Sequence, residues 1–92
     1  MRIPTISSLE NALKIYYENV EIGNKEIIIL FGNRSTATIS RLKKLVKAEM
    51  IKRNMPAFST FKVNTAIAFE VWGIDIADLE KRLYKLKELS LN

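Results

Sequence analysis

Arg34, Arg41, Lys43, Lys44, Lys47, Lys52, Arg53 and Lys62 all fall within residues 34–62, where the one opposing acid is Glu49. The local net charge is +7, while the rest of the chain holds seven basic and nine acidic residues and sums to −2. A surface built only for solubility mixes its signs. Charge concentrated in this way suits a polyanion, because each phosphate neutralised by lysine or arginine releases a condensed counterion. A solvated basic face would have the same composition, and charge by itself does not separate the two. Ser35, Thr36, Ala37 and Ser40, interleaved with the cations, add a second property: they are small, so a phosphate or a base edge can approach closely.

Covalent and proton-transfer chemistry finds little to work with. The chain has no cysteine and no histidine. That removes disulfides, thiolate nucleophiles, the usual zinc ligands and the side chain best suited to proton transfer near neutral pH. The ten acidic residues form no dense cluster of the kind a carboxylate metal site needs. Gly23, Gly32 and Gly73 are scattered, with no phosphate-cradling glycine loop, and serines without histidine make no triad. No catalytic residue, metal ligand or cofactor is assigned, and the chain is expected not to be an enzyme. The longest apolar run, Ile27 to Phe31, is far short of the roughly 20 residues that span a bilayer. Met1 to Pro4 leads into polar sequence, unlike a secretory signal. The expectation is a soluble, cytoplasmic protein with no membrane partner. Richness in Ile, Asn and Lys points to an A+T-rich genome.

With 92 residues, 48% of them apolar, the chain has room for one core, so residues 1–92 are read as a single domain. There is no internal repeat, low-complexity stretch or linker. Ser7 to Glu10 has the spacing of a capping box, with Ser7 as cap, and Leu9, Ala12, Leu13, Tyr16, Tyr17 and Val20 form the stripe of a first helix. Ile22-Gly23-Asn24 is read as its end, with Asn24 capping the next element. Lys25 to Phe31 joins strand-favouring isoleucines to a helix cap and a Gly32 stop. The bracketing favours a short helix, wholly core. Residues 35–48 form the clearest helix, capped near Ser35. Ile39, Leu42, Leu45 and Val46 fall on one arc of about 120° at 100° per residue. The basic cluster is thus one face of one helix.

Asn54-Met55-Pro56 breaks the helical pattern, and Phe58 to Val63 reads as irregular or a short strand. Residues 64–72 read two ways. Asn64 and Gly73 bracket a helix, whereas Thr65, Ile67, Phe69 and Val71 alternate as a strand would; the bracketing again favours the helix. Asp75 caps a C-terminal helix over about residues 75–89, whose Ile76, Leu79, Leu83 and Leu86 form a short apolar seam. Packing on the domain's own core is the first use of that seam, and a homodimer contact the second. Tyr16, Tyr17, Phe69 and Trp72 are expected in the core. Phe58 and Phe61 lie off the stripes, which leaves them open to stacking on a single strand between Arg53 and Lys62.

The stretch from Asn24 to Val46, NKEIIILFGNRSTATISRLKKLV, resembles the helix-turn-helix of bacterial and phage DNA-binding proteins. There a short helix ends at a glycine turn, and a second helix opening on small hydroxyl residues enters the major groove. Lys44 to Arg53 is similar to the end of a winged-helix recognition helix running into its first wing strand. The pattern departs from the family at Ile28, in place of a small residue, and at Glu49, in place of a terminating glycine. The resemblance implies a mainly α fold: a helix-turn-helix core with a short wing and a C-terminal helix.

It also implies double-stranded DNA as partner, bound sequence-specifically by a small transcriptional regulator or a phage or mobile-element accessory protein. In that role Arg34 and the amides beside Ser35 would anchor phosphate. Thr36, Ala37, Ser40 and Arg41 would face base edges. Lys43, Lys44, Lys47, Lys52 and Arg53 would follow the backbone. The rival from another class is a protein-interaction module whose basic helix docks on an acidic partner.

Overall fold

Polar side chains and left-handed residues set most of the element boundaries among residues 2–90, the part of the chain described by the computed structural model. The order is α1 (Leu9–Glu18), β1 (Glu21–Ile22), α2 (Asn24–Phe31), α3 (Thr36–Lys52), β2 (Val63–Asn64), α4 (Thr65–Val71) and α5 (Ile76–Ser90). The fold is mainly α, as expected, with a minimal antiparallel sheet.

Ser35, Asn64 and Asp75 each accept from an amide three residues on, at 3.1, 2.9 and 3.3 Å, and so start α3, α4 and α5. At α1 the cap is Ser8, which accepts from the Asn11 amide at 3.2 Å, rather than the expected Ser7. Ser7 instead donates its hydroxyl to the Ile29 carbonyl at 2.9 Å and its amide to the Leu30 carbonyl at 2.8 Å. It thereby ties the N-terminal segment to the last turn of α2. At α2 the cap position belongs to Gly23 rather than Asn24, and the Glu26 carboxylate reaches back to accept from the Gly23 amide at 2.7 Å.

α3 outruns its expected end at residue 48 and stops at Lys52 because Asn54 takes up the left-handed conformation, φ 57°. The Asn54 amide then donates to Ile51 at 3.1 Å and the Met55 amide to Met50 at 2.9 Å, which satisfies carbonyls the helix end leaves orphaned. Gly73, φ 72°, closes α4 by the same pair of bonds, to Glu70 and Phe69.

α1 ends at Glu18, earlier than the 22–24 boundary read from the sequence. The Asn19 amide and side chain both donate to the Ile15 carbonyl, at 3.2 and 3.1 Å. The chain beyond is extended: Glu21 faces Asn64 and Ile22 faces Val63 across the sheet, with Ile22 and Val63 fully buried. The wing strand expected after Arg53 does not form. Residues 53–62 are loop, and β2 pairs with β1 instead.

The core gathers Ile27, Leu30 and Phe31 from α2, Leu42 and Val46 from α3, and Phe69 and Trp72 from the α4 end, while α5 packs on α1 through Leu79. α2 is not wholly core, since Ile28 and Ile29 lie at the surface. Consecutive helical residues diverge by about 100°, so three isoleucines in a row cannot share one face. Tyr17, expected inside, is exposed and donates to the Glu80 carboxylate of α5. In the α5 seam Leu79 is buried, Ile76 and Leu83 are half-buried, and Leu86 is 51% exposed.

Candidate nucleic-acid interface

α3 has one buried seam, made by Ile39, Leu42, Val46 and Met50. Met50 takes the place expected for Leu45, which is 39% exposed. The reason is phase. Measured around the helix, Leu45 lies about 100° from Val46 and at the edge of the arc, whereas Met50 returns within about 40° of it one turn later.

Away from the seam, Ala37, Ser40, Arg41, Lys44 and Lys47 are exposed, and so is Thr36 beside it. Lys44 is diametrically opposite the midpoint of Leu42 and Val46, with Arg41 and Lys47 about 60° to either side. Arg41 therefore stands on one flank of the face rather than at its centre. Among the described residues Arg41, Lys44, Lys47 and Lys52 have no hydrogen-bond or ion-pair partner, so their charges are available to a ligand.

The remaining sequence-selected residues are engaged. Lys43 is half-buried and donates from Nζ to Asn24 Oδ1 at 3.0 Å, linking the middle of α3 to the first turn of α2. Burial, and secondarily the charge of Lys47, pulls the Lys43 ammonium below the ordinary lysine value. Arg34, in the turn at residues 32–35, donates from Nε to the Phe31 carbonyl at 3.2 Å and so covers the C-terminal end of α2. Ser35 spends its hydroxyl on the Thr38 amide, and the same oxygen lies 3.0 Å from the Thr38 hydroxyl.

Arg53 departs furthest from the backbone-following role. It donates to Glu49 at 2.9 Å and to Glu70 on α4 at 2.7 Å. The cation that looked free in sequence is shared between two carboxylates, one of them 17 residues away.

A groove of about 270 Å³ runs between the start of α2 and the face of α3, lined by Asn24, Thr36, Ile39, Ser40, Lys43 and Lys47. Asn24 belongs to this site although nothing in the local sequence marked it beyond a polar residue at a helix start. Lys62 also joins the cationic region, with its stem over Gly23, 3.4 Å from where a β-carbon would sit. Among the described residues no three acidic side chains converge as a metal site would require, and no helix is long and apolar enough to cross a membrane. Compared with protein-family models, curated proteins and solved structures, the chain matches none.

Proposed function

We propose that this chain is a non-catalytic, sequence-specific binder of double-stranded DNA, a small cytoplasmic regulator or an accessory protein of a phage or mobile element, with α3 lying in the major groove. The observation that carries this reading is the exposed face of α3. Arg41, Lys44 and Lys47, all unpaired, are set among Thr36, Ala37 and Ser40, on a helix whose opposite side is anchored in the core. The face also lacks the mixed signs of a surface built only for solubility: Glu49 is the one acid on α3, and Arg53 takes it up.

In this arrangement Arg41 bridges guanine O6 and N7, and the methyls of Ala37 and Thr36 meet thymine methyls. Lys44, Lys47 and Lys52 follow the phosphates. Lys43, Arg34 and Arg53 position the helix rather than lead the contact. The Lys43–Asn24 bond supports the docking, because it holds the first turn of α2, whose amides attract anions, beside the same groove. Self-association through the exposed end of α5, at Leu86, would pair two such helices in a homodimer. Selection from a random duplex pool, with footprinting of any enriched site, tests the reading. An enriched site protected by the protein supports it. Binding of duplexes without preference would favour an acidic protein as the partner of α3.

A further inference from the structure

We propose that the loop at residues 53–62 is a second nucleic-acid contact, at which Phe58 and Phe61 stack on unpaired bases adjoining the duplex; this rests on the reading of α3 as a DNA-binding helix. Phe58 is 89% and Phe61 78% exposed, whereas Phe31 and Phe69 are buried to within 2%. Ile51 and Met55 are also exposed and line one groove with Phe58, so that ring belongs to an apolar patch rather than standing as an isolated surface residue.

The rings are held out from the body. Both oxygens of Glu21, on β1, are occupied by the loop backbone, accepting from the Phe58 amide at 2.5 Å and the Ser59 amide at 3.1 Å. The Lys62 amide donates to the Ser59 carbonyl at 3.3 Å, closing a turn that carries Phe61, with Phe58 immediately before it. The other end of the loop is fixed by the Met55–Met50 bond and by Pro56. A loop ordered in this way loses little conformational entropy when a ligand arrives.

Its surroundings select the ligand. Residues 54–62 contain no acid, and the carboxylate that reaches the loop, Glu21, is turned onto the Phe58 and Ser59 amides. Phe58 lines a groove of about 570 Å³ together with Lys47, Met50, Met55, Pro56 and Lys62. Lys47 lines the α3 groove as well, so one phosphate backbone could run from α3 toward the loop along Lys47 and Lys62. An aromatic face beside such a track, here that of Phe58 with Phe61 three residues on, forms a single-strand platform, because every base has a π-face to stack. The consequence is a preference for duplexes that carry unpaired nucleotides, as at a frayed end, a gap or a single-stranded junction.

The test is a fluorescence titration of the full chain with a blunt duplex, the same duplex bearing a short overhang with 2-aminopurine, and the isolated overhang strand. Binding to the overhang duplex should be about five- to a hundredfold tighter than to the blunt one, with quenching of the 2-aminopurine. Phe58→Ala with Phe61→Ala should abolish both the gain and the quenching while leaving blunt-duplex affinity and the melting temperature unchanged. The corresponding tryptophan pair should keep both. An overhang that adds neither affinity nor quenching, or alanine variants that retain both, overturns the proposal while leaving the α3 reading intact if the blunt duplex still binds. Quenching of the isolated strand that depends on the two phenylalanines, without duplex binding, would keep the loop contact and overturn the α3 reading. Absence of binding to any of the three overturns both.

Discussion

The indole N–H of Trp72 donates to the main-chain carbonyl of Leu42 at 3.1 Å, in the buried interior. The same ring meets Phe31 edge to face, with centroids 5.3 Å apart. Trp72 closes α4, Leu42 lies in the middle of α3 and Phe31 ends α2, so one side chain fixes the mutual placement of the two helices that flank the turn. Trp72→Phe keeps most of the apolar contact and loses the bond, and should cost about 1 kcal/mol. Trp72→Ala should cost about 3–5 kcal/mol. Denaturant melts of both proteins check this, and a Trp72→Phe variant as stable as the parent would show that the N–H contributes nothing distinct.

The seam of α3 makes a second, graded prediction. Leu42 and Ile39 are buried, and either one changed to alanine should cost about 2–5 kcal/mol, a large share of a small domain's stability. Leu45→Ala, at the exposed edge of the helix, should stay within about 1 kcal/mol of the parent. If Leu45→Ala melts as early as Leu42→Ala, α3 is rotated from the orientation that buries Ile39, Leu42, Val46 and Met50.

Electrostatics divides the cations into two groups. Lys44→Ala and Lys47→Ala should each lower the slope of log K against log salt by about one on every duplex. Arg53→Ala should leave that slope unchanged, because its charge is already shared by Glu49 and Glu70. Affinity titrations over a range of salt concentrations separate the groups. An Arg53 variant whose slope falls with the others would mean that its ion pairs open on binding.

Arg41 is the residue on which specificity turns. Arg41→Ala should cost about 1–3 kcal/mol on the preferred duplex, relax selection at one base pair and affect a scrambled duplex much less. Arg41→Lys should not restore discrimination, since an ammonium lacks the planar fork that matches O6 and N7 together. Because Arg41 stands on one flank of the face, equal losses on both duplexes would make it a phosphate contact. Base reading would then pass to Thr36, Ala37 or Ser40.

Glu21 offers a check on the loop that needs no ligand. Its carboxylate accepts from two loop amides, so Glu21→Ala should free residues 53–62 and speed proteolytic cleavage there, with little change in the global melt. Cleavage at the parental rate would show that the loop is held by other contacts.

The features that the sequence determined by itself are local. Ser35, Asn64 and Asp75 announce helix starts because a short polar side chain satisfies an amide three residues away, within reach of any nearest-neighbour reading. Gly73 announces a stop for a similarly local reason, its tolerance of positive φ. The period of Ile39, Leu42 and Val46 was enough to place the cations on one face of α3, since burial of one side of a helix exposes the other.

Tertiary structure decided whatever depends on distant partners. β1 and β2 are two residues each, too short for alternation to register, and exist because Ile22 and Val63 are brought together across the fold. Which isoleucine of α2 enters the core, and that Glu70 takes up Arg53, came from the packing of α2, α3 and α4. The outward hold on Phe58 came from Glu21, 37 residues earlier in the chain. A hydrogen bond or an ion pair at such a separation has no local signature, because its energy is realised only once the intervening chain has folded.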